Sequence, residues 1–152
     1  MIEVRHEPPD SPAARALFEE YMDLVRDRAG RDLREAEHIF ATADVFNGPG
    51  SAWLVIYDDG RPVACGGLRP LEAATGEIKR MFVTAAARRR GHARRLLNEL
   101  ESLARAAGQT RIRLLTTELL PEALALYERS GYSVVSSHRE DDHTDYWLEK
   151  DL

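Results

Sequence analysis

Between Glu77 and Arg95 the chain concentrates groups that can hold an anion. Arg88, Arg89 and Arg90 run directly into Gly91, followed by His92, Ala93, Arg94 and Arg95. The stretch carries seven Lys or Arg against one acid, a local charge of +6 in a chain of −5, so the remainder carries −11. A small-residue link, Thr84 to Ala87, precedes the arginines, and a strand-like run, Glu77 to Val83, precedes the link. After Gly91, the apolar residues Ala93, Leu96, Leu97, Leu100, Leu103, Ala104 and Ala107 recur at helical spacing, and Gly108 stands where a C-cap glycine is expected. The order is therefore strand, basic glycine turn, helix. The first N–H groups of a helix lack intrahelical partners and sit at the positive end of its dipole. A glycine there lets a phosphate approach the backbone. The arginines equally suit a solvated helix start, so the backbone groups of residues 89 to 94 carry this reading more than any one side chain.

These residues resemble a known family. Arg88-x-x-Gly91-x-Ala93 matches the [Q/R]-x-x-G-x-[G/A] pyrophosphate motif of the GNAT N-acetyltransferases. Glu77-Ile-Lys-Arg-Met-Phe-Val resembles that family's fourth strand, and Ala125-Leu-Tyr127-Glu-Arg-Ser-Gly131-Tyr132 its late helix and turn. The resemblance implies an N-acetyltransferase that moves the acetyl group of acetyl-CoA to a primary amine by direct attack in a ternary complex. It implies that Arg88, Arg89, Arg90, Gly91, His92, Ala93 and Arg94 hold the diphosphate, and that Met81, Phe82 and Val83 offer backbone to the pantetheine arm. It gives Glu77 the place of a general base and Tyr127 that of a general acid, a phenol that is protonated at pH 7 and can donate to a thiolate. Glu77 also suits a strand-end glutamate paired with Lys79 or Arg80, and Tyr127 a packed aromatic beside Leu124 and Leu126. Thr116, Thr117 and Glu118 stand where many members have an asparagine, a departure from the family pattern. An acyl-CoA sensor or pseudo-enzyme is the alternative function. A nucleic-acid binder is disfavoured by the −11 remainder, which repels a phosphate backbone.

The elements that must position these groups follow from pattern and punctuation. Met1 to His6 reads as a strand ended by Pro8 and Pro9. Asp10 or Ser11 caps a helix whose apolar positions run from Ala13 to Val25. A second helical segment spans Leu33 to Phe40, and Phe46 to Gly50 is a loop. Ser51 to Tyr57 and Arg61 to Leu68 form a hairpin across Asp58-Asp59-Gly60. Arg69 to Gly76 reads as a loop into the Glu77 strand. Arg111 to Thr117 is a buried strand, and Pro121 opens a helix to Ser130. Tyr132 to Ser136 and Asp145 to Glu149 close the chain as a strand pair around a polar loop, Arg139 to His143. Helices interleaved with strands and hairpins give a mixed α/β sheet. The family resemblance adds that the sheet is mostly antiparallel, flanked by helices, with the Glu77 and Arg111 strands splayed apart.

The composition fits one domain, residues 1–152, with 43% hydrophobic and 31% charged residues. MIEVRHEPPD lacks the apolar centre of a signal peptide, and no run approaches a membrane span of about 20 residues. The single cysteine, Cys65, cannot pair within the chain, which points to a reducing cytoplasm. His138, Asp141, Asp142, His143 and Asp145 match no metal-ligand spacing, so no metal is expected. The acidic clusters Glu19 to Asp27 and Glu140 to Asp145 would attract a cationic acceptor, although such carboxylates commonly form solvated faces. Neither nucleic acid nor membrane is an expected partner. The sequence leaves the acceptor's identity, small molecule or peptide, open, along with monomer and homodimer.

Overall fold

The computed structural model describes residues 1–30, 46–140 and 143–152. The expected helix at Leu33 to Phe40 lies outside them. Seven strands form one sheet: β1 (Ile2–His6), β2 (Ala52–Asp58), β3 (Arg61–Glu72), β4 (Thr75–Val83), β5 (Arg111–Thr117), β6 (Ser133–Glu140) and β7 (His143–Asp151). Their order is β1-β2-β3-β4-β5-β7-β6. Every pair is antiparallel except β4·β5, which is parallel. Three α-helices are described: α1 (Pro12–Ala29), α2 (His92–Ala106) and α3 (Pro121–Arg129).

Local chemistry sets the helix ends. The Ser11 hydroxyl accepts from the Ala14 N–H at 3.1 Å, with Pro12 in the first turn. At the end of α2, Gly108 is left-handed (φ 82°), donates to Arg105 O, and is followed by Gln109 donating to Ala104 O. That paired arrangement satisfies carbonyls the helix would otherwise leave bare.

Strand alternation divides the core. One cluster holds Leu54, Ile56, Leu68 and Ile78 with Leu96, Leu97 and Leu100 of α2, and Ile112, Leu114 and Leu148 with Tyr127 of α3. The other holds Trp53, Val55, Cys65 and Phe82 under α1 residues Ala14 and Leu17. So α2 and α3 cover one face, and α1 covers the other over β3 and β4. Leu96, Leu97 and Leu100 are fully buried, each stabilising the fold by about 1.5–3 kcal/mol.

Two expectations need correction. The loop expected at Arg69 to Gly76 is strand: β3 and β4 pair down to Glu72↔Thr75, with a register shift between Pro70 and Glu72 that accommodates the proline. Only Ala73 and Ala74 turn. The closing hairpin is also longer than expected, pairing out to Glu140↔His143. Ser137, His138 and Arg139 lie exposed along β6, the edge strand, so their polarity reads as loop.

Candidate active site

β4 and β5 pair only from Thr75↔Arg111 to Ile78↔Leu114. Beyond Ile78 the two strands part, and β5 continues alongside β7 alone. The backbone of β4 from Lys79 to Val83 is thereby left without a β5 partner on that edge. A β-bulge falls at the same place. Three steps of β4, Lys79 to Phe82, oppose two steps of β3, Gly67 to Cys65. Arg80 is the extra residue, held at φ 59°. Such a conformation costs a non-glycine residue about 1–3 kcal/mol. It re-aims the strand end: Met81 packs toward the α2 cluster and Phe82 toward the α1 cluster.

A cleft of about 660 Å³ opens at this end, between α1, the tip of β4, the α2 N-terminus and α3. Met81, Phe82 and Val83 form its floor. After Val83 the chain makes a 3-10 turn, Ala85–Ala87, tied to α1 by the Ala85 N–H donating to Glu20 Oε1 at 3.2 Å. Arg89 (φ 63°) and Gly91 (φ 82°) then turn it into α2. Gly91 is the N-cap and provides no capping side chain, so the first N–H groups of α2 face the cleft uncapped. A β-carbon placed on Gly91 would meet nothing within 4 Å, so the approach to these groups is open.

The arginines divide. Arg88, Arg89 and Arg94 line the cleft. Arg88 Nε donates to Val83 O at 3.3 Å, which fixes the stem of its side chain. Arg90 is not among the lining residues, and its guanidinium lies 3.9 Å from Asp58 on β2. His92 and Ala93 line the cleft; His92 is buried with Nε2 3.6 Å from Asp58 Oδ2 and no hydrogen-bond partner there.

Tyr127 faces the cleft from α3 and is 6% exposed. Its ring meets Tyr132 edge-on at 5.9 Å. Tyr132 Oη in turn donates to buried Glu101 of α2 at 2.8 Å, and Lys150 Nζ donates to the same carboxylate at 3.0 Å. This satisfied network locks α2, α3 and β7 around the phenol. Burial, with Tyr21 adding to it, raises the Tyr127 pKa well above the ordinary tyrosine value. The phenol therefore keeps its proton throughout the neutral range.

The sequence matches the description "Acetyltransferase (GNAT) family" over residues 12–132. The chain belongs to the GNAT acetyltransferase family. It is 36% identical over 107 residues to the uncharacterized N-acetyltransferase YjgM of Escherichia coli (strain K12), a match covering 68% of this chain and 59% of that protein. It is 34% identical over 135 residues to an IAA acetyltransferase of Azospirillum brasilense, covering 87% of this chain and 84% of that protein. The fold is shared with a crystal structure of aminoglycoside 6'-N-acetyltransferase complexed with coenzyme A, at TM-score 0.73 and 17% identity, over 98% of this chain and 96% of that one.

Within this GNAT fold, Glu77 does not line the cleft. It sits on the face opposite α2 and α3, buried, accepting from Arg69 Nε at 2.7 Å with Lys79 Nζ at 3.8 Å. The sequence pointed to Lys79 or Arg80 as its partner. Lys79 is there, Arg69 is closer, and the Arg80 guanidinium lies over the Phe46 ring at 5.4 Å. Thr116, Thr117 and Glu118 are not among the lining residues. Thr117 Oγ1 accepts from Leu119 N, and Glu118 Oε1 accepts from Thr144 N. Cys65 is buried, and burial pushes its thiol up to about 12, so it is no nucleophile. Sequence reasoning missed Tyr21, Leu24 and Arg28 on the far wall. Arg28 bridges α1 to α3, donating to Leu119 O and Glu122 Oε1. No local signal marks a contact spanning more than ninety residues. Among the described residues no group of His, Cys, Asp and Glu has the arrangement of a metal site, and no helix is long and apolar enough to cross a membrane.

Proposed function

We propose that this protein transfers the acetyl group of acetyl-CoA to a primary amine, by direct attack within a ternary complex. The observation that carries the reading is the cleft where parted β4 and β5 open between an uncapped helix N-terminus and the buried Tyr127. The residues present suit the cosubstrate. The N–H groups at the start of α2, with Arg88, Arg89 and Arg94 around them, match a diphosphate. The unpaired edge of β4 from Met81 to Val83 offers donors and acceptors to an extended amide-bearing arm, as to an added strand. A volume of about 660 Å³ suits a ligand of this size. Acetyl-CoA supplies an activated acyl group on a thiol leaving group.

The protein's own groups then have three tasks. The cleft aligns thioester and amine, and such alignment accounts for a large part of the rate. The amine nitrogen forms its bond to the acyl carbon as the carbon–sulfur bond breaks. Glu77, directly or through water, takes the proton the amine sheds, and Tyr127 gives its proton to the departing thiolate. Arg69 and Lys79 fix the Glu77 carboxylate just before the strands part. The test has two arms. Saturating acetyl-CoA should raise the melting temperature, and coenzyme A thiol should be released with a panel of primary amines. Absence of a thermal shift would remove the cosubstrate assignment. A shift without thiol release on any amine would identify an acyl-CoA-binding module.

A further inference from the structure

The strand register assembles a row of charge that the proposed chemistry has not fully used. Arg69 pairs with Glu77, Glu77 with Arg113, and Arg113 with Glu149, across β3, β4, β5 and β7. Residues at paired positions share a face, here the one opposite α2 and α3, which α1 covers over β3 and β4 and which is open at Leu115 of β5. Arg113 stands one residue before the last β4·β5 pair, at the mouth of the parting.

The two arginines are held differently. Arg69 Nε donates to Glu77 at 2.7 Å, whereas Arg113 Nε is buried without a hydrogen bond, 3.5 Å from Glu149 Oε1. Arg113 also lies over the Trp147 ring at 4.9 Å. In each, the terminal amino groups have no hydrogen-bond partner among the described residues, and the side chains are 31% and 33% exposed. A guanidinium fixed at Nε, as in Arg69, or braced by a ring, as in Arg113, presents its terminal amino groups as a fork for a planar anion. Counting Arg69, Lys79, Arg111 and Arg113 against Glu77, Glu149 and Asp151, the row keeps one net positive charge on a chain of net −5. Beyond Arg113 on the same face, Leu115 is 46% exposed and pairs with Trp147, an apolar surface beside the fork.

The geometry points to an acceptor that bears a carboxylate as well as an amine, with Arg113, aided by Arg69, gripping the carboxylate at the parting of the strands. This rests on the transferase reading and names its substrate class. The acidic cluster of α1 faces elsewhere. Glu19, Glu20, Asp23 and Asp27 lie on the exposed side of α1, where Glu20 accepts from Ala85 and Asp23 pairs with Arg26.

The experiment is calorimetric binding to the full chain saturated with coenzyme A, so that no turnover is needed. The probes are a set of L-amino acids, their carboxamides and a polyamine. At least one amino acid should bind about tenfold or more tightly than its carboxamide, the size of a lost charge-assisted contact. Arg113→Gln should erase that difference and Arg113→Lys should keep part of it, with coenzyme A affinity and melting temperature close to the wild type in both. Equal or tighter binding of the carboxamides or polyamine would overturn the inference. So would a preference that survives in both Arg113→Gln and Arg69→Gln, or failure of every amino acid to bind. Coenzyme A binding, measured separately, tests the cosubstrate reading on its own.

Discussion

Two regions meet where β4 and β5 part, and they are built from different materials. On the cleft side, the groups on offer to a ligand are largely backbone: the uncapped start of α2, the left-handed Gly91 and the unpaired edge of β4. On the sheet face opposite α2 and α3 they are side chains: Arg69, Glu77, Arg113 and Glu149, each placed by its strand register. Backbone recognition serves a ligand part that never changes and tolerates varied side chains around it. Side-chain recognition can be rewritten strand by strand without touching the cleft. On the proposed function, the difference separates a constant cosubstrate from an acceptor that can change. It also states what mutations on each side should and should not do.

The largest effect is expected on the cleft side, at Tyr127. Tyr127→Phe keeps the ring against Tyr132 and removes the proton, so kcat should fall about 10²- to 10⁴-fold with acetyl-CoA affinity nearly unchanged. Because burial raises this phenol above its ordinary pKa, it should impose no fall in rate near pH 10, where a free tyrosine ionises. A rate profile from pH 6 to 11 reads both points. Unchanged kcat on a good acceptor would make solvent the proton donor.

Glu77→Gln tests the opposite face. We expect a fall of about 10²-fold, greatest at low pH, where removal of the amine proton limits the rate. Acetyl-CoA affinity should hold, since Glu77 is off the cleft. Wild-type rates across pH would reduce it to the ion-pair partner of Arg69. Gly91→Val tests the other side. A β-branched residue at φ 82° is strained by about 1–2 kcal/mol and would crowd the helix N-terminus. Acetyl-CoA should bind about tenfold more weakly, with acceptor preference intact. If Glu77→Gln weakened acetyl-CoA, or Gly91→Val switched acceptors, the division between the regions would fail.

The smallest effect concerns stability. Tyr127 and Tyr132 both carry raised pKa values, chiefly from burial, with the hydrogen bond to Glu101 adding at Tyr132. Their contribution is complete below the unfolded value near 10 and is lost as pH rises above it, because only the unfolded chain ionises readily there. Denaturant midpoints from pH 8 to 11 should therefore fall at the alkaline end, and less steeply in Tyr127→Phe.

The same contrast explains what was legible in the sequence. The Arg88 to Ala93 turn is contiguous, so its residues report their own geometry, and the helices carry local end signals (Ser11 and Pro12 for α1, Gly108 for α2, Pro121 for α3) and apolar spacing that survive folding. The opposite face is assembled from four strands, and its register appears only when they pair. Arg69 sat in a segment whose Pro70 and Gly76 read as breakers, although both are accommodated within β3·β4 pairing. Arg113 and Glu149 lie on strands that were foreseen, yet nothing in either strand names the other. The far wall of the cleft depends on Arg28 reaching α3, a contact without local trace.

Arg80 gives the fourth strand two phases. Four residues apart, Glu77 and Met81 would face the same way in a regular strand, yet one belongs to the opposite face and the other to the α2 side. The extra residue is thus a frame shift written into the backbone. Its deletion would restore regular alternation, turning the tip of β4 over and delivering the floor of the cleft to the wrong layer. Glycine at this position would keep the shift while relieving its strain, and a β-branched side chain would work against it. The length of this segment is therefore under a stricter constraint than its composition: residues here are exchangeable in kind before they are exchangeable in number.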